Sequence, residues 1–401
     1  MSTPFPNVPG VKIQEVRLGA PPIIGVGTST AGFVGEAPQA NAFTGKPPRL
    51  VTSADQFFHE FIRDPGDPDN EAKGAQTNND LGNAVLGFFK NGGTECFVVD
   101  VGTGGDIEKG IDQLEAIEEI DIIAAPGVAT TGVYNALAGQ AKRTGNRFAI
   151  LDPPTKADIS GDVNKLLPGA GSKRPDSSIW AAFYYPRIQI SPVLKKDKDD
   201  AKADANKKFF APPSGHIAGL YARVDGQRGV HKAPANEQLI GALGVEQLIK
   251  DADQEQLNKV GVNIIRVFSE GPVVWGARTL QEQEKAIDTS FLYISVRRLT
   301  TFVEQSLRGG LRFAVFEPNN LALRQTITRS VRGFLDGVWR DGALFGATAD
   351  EAYYVRFPDS FNTDTERQKG RLTLEVGLRV APPAEFIIIR IGLLDKPANA
   401  T

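Results

Sequence analysis

The sequence predicts an α/β protein built as two α/β units, the first around a partly parallel sheet. Three observations carry this. Between Gly92 and Pro186, short apolar runs alternate with segments of helical period at the spacing of β-α-β crossovers. From Val273 to Leu394 a second set of helix-like and strand-like segments follows. The chain has 401 residues, more than one hydrophobic core usually serves, so two domains are expected.

Residues 1–20 hold prolines at 4, 6 and 9 around one alternating segment, VKIQEV (Val11 to Val16). A six-residue strand with no hairpin partner nearby has to pair elsewhere, because unpaired backbone groups are costly when buried. Its partner is either this chain's own sheet or another subunit. Next come strand-like CFVVDV (Cys96 to Val101), a helical stripe of Ile107, Ile111, Leu114 and Ile117, and strand-like DIIAAPG (Asp121 to Gly127). Val133 to Arg143 reads as helix, and RFAILDPP (Arg147 to Pro154) and IWAAFYYP (Ile179 to Pro186) read as strands. KKDKDDAKADANKK, between Leu194 and Phe209, is a solvated loop by its mixed charge and near absence of apolar residues. In Ala211 to Asn236, Gly215, Gly219, Gly226 and Gly229 indicate tight turns around a helical HIAGLYARVD segment.

In the second unit, Leu299, Phe302, Val303, Ser306 and Leu307 form an inward helical stripe, leaving Arg297, Arg298, Glu304 and Arg308 for solvent or a partner. After Pro318, Asn319 or Asn320 caps a second helix whose stripe is Leu323, Ile327, Val331, Phe334, Leu335 and Val338. Its other face carries Arg324, Arg329, Arg332 and Arg340. RLTLEVGLRV (Arg371 to Val380) alternates as a half-buried strand. EFIIIRIGLL (Glu385 to Leu394) follows Pro382 and Pro383, which discourage a hairpin back onto that strand. It sets Phe386, Ile388 and Arg390 on one side and Ile387, Ile389 and Ile391 on the other.

Little in the chain suggests chemistry. A net charge of −3 gives no chain-wide basic footprint for nucleic acid. The single Cys96, inside an apolar run, is expected in the core. GVGTST at Gly25 lacks the third glycine of a dinucleotide fingerprint, and TGKPP at Thr44 has Pro47 where a phosphate loop needs Ser or Thr. GTSTA at Gly27 places Ala31 where a hydrolase elbow needs glycine, which speaks against Ser29 as a nucleophile. His59, His216 and His231 have no metal-ligand spacing, and Glu118 with Glu119 reads as a solvated helix face. Catalytic, metal and cofactor sites are therefore not expected, and the alternative of an α/β enzyme rests only on the central alternation. The start MSTPFPNVPG has no secretory signal, and FIIIRI is far short of the roughly 20 residues a spanning helix needs.

The runs WGARTL (from Trp275), YISVRRL (from Tyr293), FEPNN (from Phe316), FLDGVWRDGALFG (from Phe334) and APPAEFIIIRI (from Ala381) resemble the C-terminal region of contractile tail-sheath proteins. That family serves contractile-tailed phages, R-type pyocins and phage-tail-like injection systems. PGVKIQEV with GVGTSTAGFVG, and the run from Ala211 to Asn236, are similar to further sheath segments. The resemblance implies an N-terminal linker arm (1–20), an outer α/β domain (21–265), an inner C-terminal α/β domain (266–384) and a C-terminal linker arm (385–401). It further implies a helical homo-oligomer of stacked rings around an inner tube, with baseplate and terminal cap proteins as partners, no cofactor, no nucleic acid and no membrane span. Assembly would take place in the bacterial cytoplasm, and the particle would be a phage tail or an injection machine released from the cell. Val11, Ile13, Val16, Ile387, Ile389 and Ile391 are the arm residues expected to link subunits. Arg324, Arg329, Arg332 and Arg340 are the tube-facing candidates, although exposed arginines are as readily a solvated face, each surface pair contributing roughly 0–1 kcal/mol.

Overall fold

The computed structural model describes residues 21–38, 43–62, 79–191, 209–284 and 286–386. The VKIQEV segment, the charged loop after Leu194 and residues from Ile387 onward lie outside the described residues.

A nine-stranded sheet forms the larger lobe. Its parallel part is built from β1 (Ala31–Gly35), β3 (Cys96–Asp100), β4 (Ile122–Ala124), β5 (Phe148–Leu151), β6 (Ala181–Tyr185) and β11 (Val262–Phe268). Three antiparallel strands complete it: β2 (Arg49–Val51), β9 (Glu237–Gln238) and β12 (Gly271–Val274). The spatial order is β2-β3-β1-β4-β5-β6-β11-β12-β9. A partly parallel sheet is thus present, and its first five parallel strands follow the doubly wound order in which the chain reverses direction at β1.

Strand alternation divides the side chains between two cores. Phe33, Val98, Ile150 and Tyr184 face one layer, and Val34, Val99, Leu151 and Phe183 face the other. The second layer is covered by α3 (Ile107–Leu114) and α4 (Thr131–Thr144), capped by Asp106 and Thr130. The first layer is covered by α2 (Asp80–Lys90) and α5 (Ser214–Arg228). The glycines of α5 depart from the turns expected of them. Gly215, Gly219 and Gly226 lie inside the helix, and only Gly229 ends it, at φ +86°. An added Cβ on Gly215 would collide with the Ala84 carbonyl of α2, and one on Gly219 with that of Phe88. These two glycines serve close helix packing rather than turns. A small sheet of β7 (Ile188–Ile190), β8 (Phe209–Ala211) and β10 (Ala242–Val245), in the order β10-β7-β8, adjoins this face. The outward flank carries α6 (Asp251–Lys259) against β11.

The C-terminal lobe has its own core. Helices α7 (Ile294–Gly310) and α8 (Leu321–Arg340) bury Leu299, Val303, Ile327, Val331, Leu335 and Val338, with Phe302, Leu323 and Phe334 partly buried beside them. Asn320 caps α8 by accepting from the Leu323 N–H, while Asn319 donates to the Arg371 carbonyl. The lobe ends in a two-stranded antiparallel sheet, β13 (Tyr353–Arg356) with β14 (Glu375–Leu378). The strand expected over Arg371 to Val380 is therefore shorter, although Leu372, Leu374, Val376, Leu378 and Val380 all pack on this core. A boundary between residues 265 and 266 falls inside β11, and β12 extends the large sheet through Val274.

Candidate functional site

At the junction of the lobes, α7 turns two arginines inward. Arg298 is 5% exposed and clamps Asp225 of α5 through two hydrogen bonds, of 2.9 and 2.6 Å. It also donates to the Thr28 carbonyl and stacks 4.7 Å from the Tyr221 ring. Burial opposes its charge, but Asp225 outweighs this and holds the guanidinium above its usual pKa. Arg297, 4% exposed, lies between the rings of Trp180 and Phe291 and donates to Glu304. The expectation that both arginines remain for solvent or a partner is thus corrected: a carboxylate from α5 and two aromatic faces give them buried partners.

Residues 21–30 are threaded between the lobes. Ile23 belongs to the C-terminal core, and an added Cβ on Gly310 would stand 2.6 Å from its side chain. Val26 N–H donates to Ser306, Thr28 Oγ1 to Asp225, and Thr30 N–H to Asp121. Burial pushes the Asp121 carboxyl up to about 7; the Thr30 bond, Arg298 and Arg147 oppose the rise, and Asp225 adds to it. Beside Asp121 opens a cleft of about 740 Å³ whose lining includes Glu95, Glu115, Glu118, Glu119, Arg147, Arg308 and Arg312.

The candidate arginines of α8 do not form one uniform face. Arg324, Arg329 and Arg332 line an open groove of about 860 Å³ together with Leu321, Asp336 and Phe357. Arg340, at the far end of the helix, lies outside it. Arg324 is half-buried over the Phe357 ring, and Arg332 bonds Asp350 at 2.6 Å and leans on Tyr353. Arg329 and Arg340 are exposed.

Among the described residues, β13 and β14 pair only with each other as strands, in the register Tyr353 with Leu378 to Arg356 with Glu375. Both outer edges thus present backbone donors and acceptors, and two strands alone are marginal in water. Past β14, Leu344 bridges Val380, and the chain then crosses to the larger lobe. There Glu385 meets Arg278, Asn258 and Tyr293. No local pattern announces this cluster, since Glu385 follows two prolines in what reads as an arm. Of the expected arm residues, Val11, Ile13, Val16, Ile387, Ile389 and Ile391 lie outside the described residues.

At the carboxyl end of the parallel strands, where doubly wound enzymes hold ligands, Asp152 and Asp80 are paired with groups of this chain. Ser214 donates to Asp152, which burial raises to about 6 against the bonds from Ser214 and Gly127. Arg187 donates to the Gly127 carbonyl and pairs with Asp80. His216 is buried and held at about 4 by burial, with Lys90 adding to the effect. Cys96 is wholly buried, and burial raises its thiol pKa. Among the described residues, no group of three His, Cys, Asp or Glu side chains is placed to hold a metal, and no helix is long and apolar enough to cross a membrane.

Comparison with known proteins gives this architecture a family. Residues 101–280 match the phage tail sheath protein central domain, and residues 287–393 match the phage tail sheath C-terminal domain. The tail sheath protein of Burkholderia phage BcepMu is 31% identical over 272 residues, which are 66% of this chain and 53% of that protein. A putative prophage major tail sheath protein of Pseudomonas aeruginosa is 24% identical over 69% of this chain and 65% of its own length. The chain thus spans between about half and two thirds of these relatives. Among solved structures, the helical sheath of the anti-feeding prophage in its contracted state superposes with a TM-score of 0.73 at 29% identity, covering 97% of this chain and 99% of that one. The contracted sheath of the extracellular contractile injection system PVC also gives 0.73, at 26% identity over 97% and 98%. With both sheath domain models in sequence along one doubly wound lobe and one helical lobe, this chain belongs to the contractile tail-sheath family.

Proposed function

We propose that this chain is a structural sheath subunit that polymerises into a helical cylinder around an inner tube, and that contraction of the cylinder drives the tube through a target envelope. The observation that carries this reading is the likeness, over 97% of the chain, to a sheath subunit solved in the contracted state. The large lobe takes the outer position and the C-terminal lobe the inner one. The partners are further copies of the chain, the tube, and the baseplate and cap that close the cylinder. Assembly takes place in the bacterial cytoplasm, and the product is a phage tail or a released injection particle.

The open β13–β14 ribbon supports linkage by strand addition. A neighbour's Val11, Ile13 and Val16, or its Ile387, Ile389 and Ile391, would complete the ribbon, and backbone pairing of this kind survives rigid-body rotation of the lobes. Three buried apolar side chains contribute roughly 5–9 kcal/mol, against roughly 6–12 kcal/mol to order six residues. A single arm is marginal, so stability comes from linking each subunit to several neighbours at once. The α8 groove, with Arg324, Arg329 and Arg332, and the separate Arg340 suit an acidic tube surface. Sedimentation with electron microscopy tests the reading. The full chain should form tubular particles, and deletion of residues 1–20 should leave a folded, soluble chain that forms none. A small closed oligomer as the only species would overturn it.

A further inference from the structure

Glu385 lies near the end of the described C-terminal strap, and its carboxylate is held more completely than an exposed connector requires. Oε1 accepts from Asn258 Nδ2 at 2.8 Å and Arg278 Nε at 3.0 Å; Oε2 accepts from Arg278 Nε at 3.1 Å, Arg278 Nη2 at 2.7 Å and Tyr293 Oη at 3.0 Å. Arg278 is 4% exposed and fixed before Glu385 arrives: its Nη1 donates to the Asn258 carbonyl and to Gln283, and its backbone N–H and C=O are both bonded by the buried Asn263 side chain of β11. Arg278 and Asn258 therefore anchor the socket in the larger lobe, and Tyr293 joins it from the start of α7. Its occupant comes from beyond the C-terminal lobe, 107 residues away in sequence. Ala381 still donates to Ala343 of the C-terminal lobe, so only residues 382–384 span the gap, two of them prolines with no N–H to lose. Immediately after the socket, Phe386 is 71% exposed.

A charged socket gripping one carboxylate, directly before an apolar segment, fixes a point of departure. We propose that Glu385 is a positioning residue for subunit linkage: locked into the Arg278–Asn258–Tyr293 socket, it starts the chain's last segment from the larger lobe, so that the segment is presented to a neighbouring copy rather than to its own β13–β14 ribbon. This rests on the sheath reading above. Bidentate, charge-assisted bonds give such a lock direction as well as strength, and fixing the origin of a tethered strand raises its effective concentration at the site it can reach.

The test uses the full chain, with polymerisation followed by sedimentation velocity over a concentration series and folding followed by thermal melting. Glu385→Gln keeps an acceptor for Arg278 but removes the compensating charge, so it should lower the melting transition somewhat and raise the concentration needed for polymerisation about tenfold, more than that loss of stability accounts for. Tyr293→Phe, which removes one bond and leaves the charge pair, should raise it by a smaller factor. A purely structural tie would not produce the third readout. Mixed at a low ratio into wild-type subunits, the Glu385→Gln chain should still accept a neighbour's segment without donating its own, and so shorten the polymers. Wild-type polymerisation with an unchanged threshold in both variants overturns the proposal, as does a threshold that rises only in step with a lowered melting temperature. If the wild-type chain forms no polymer at all, the sheath reading fails first and the proposal goes with it.

Discussion

Helices α7 and α8 share the C-terminal lobe, bury one apolar stripe each, and carry arginines off that stripe. Arg297 and Arg298 of α7 are nevertheless enclosed by Trp180, Phe291, Asp225 and Tyr221, whereas Arg329 and Arg340 of α8 stand in solvent. Periodicity assigns both sets to the outside of their own helix. What separates them is the neighbour: among the described residues, α7 is covered on its second side by the larger lobe, and the face of α8 that carries Arg329 and Arg340 is not. A guanidinium is therefore structural where another element brings a carboxylate to it, and free for a partner where none does.

The sharpest way to break this comparison is to remove one side of the buried pair. Arg298→Ala or Asp225→Ala leaves an uncompensated buried charge and should cost about 3–5 kcal/mol in chemical denaturation. The double replacement Arg298→Met with Asp225→Leu should recover much of that loss. A single-variant loss of under about 1 kcal/mol would put Arg298 in the class of the α8 arginines.

The next effect is pH dependence at the same junction. The Asp121 carboxyl, raised to about 7, holds its proton in the folded chain at a pH where the unfolded chain has released it. Between about pH 4 and pH 7 the folded state binds more protons, so this group makes stability fall as pH rises through that window. Each tenfold gain in proton affinity on folding corresponds to about 1.4 kcal/mol. Asp121→Asn keeps an acceptor for the Thr30 N–H and should flatten that slope. Denaturation at pH 5 and pH 8 checks it, and an unchanged slope would remove Asp121 as the source.

The smallest effect on the fold is expected at α8. Charge reversal of Arg329 and Arg340 should change stability by no more than about 0.5 kcal/mol, yet, if the proposed tube contact is made there, weaken polymerisation on a tube, with added salt mimicking the change. Arg332→Ala, which also loses Asp350 and Tyr353, should cost at most about 1 kcal/mol. Tube-dependent assembly that is indifferent to the reversal would return these side chains to a solvated face.

Much of the fold was legible because its signals are local. The strand pulses at Cys96, Asp121, Arg147 and Ile179 each coincide with a parallel strand, and Asn320 caps α8. Signals that depend on distant partners were not. Gly215 and Gly219 look like turn residues until α2 is packed against them. Arg298 reads as exposed until Asp225, 73 residues earlier, is placed beside it. Glu385 looks like the start of a free arm because Arg278 lies far upstream. Strand β11 runs through residue 265, where the sequence reading sets its domain boundary. The hairpin from β11 to β12 leads into WGARTL, whose Leu280 is buried in the larger lobe, so the run that resembles a C-terminal sheath region begins while the chain is still completing that lobe's core.

Ile23 bears on how the subunit is made. It is among the first residues described, yet its packing partners lie at Leu299, Val303 and beyond, so the C-terminal core cannot close until the ribosome has delivered most of the chain. The larger lobe, whose cores take their last described side chains at Leu280 and Ile294, can fold earlier, domain by domain as synthesis proceeds. A nascent chain would then carry a finished larger lobe before it has made the β13–β14 ribbon that the proposed strand addition needs. Such an order of synthesis would delay the proposed strand addition until the second lobe has been made, a temporal safeguard against tangled growth on the polysome.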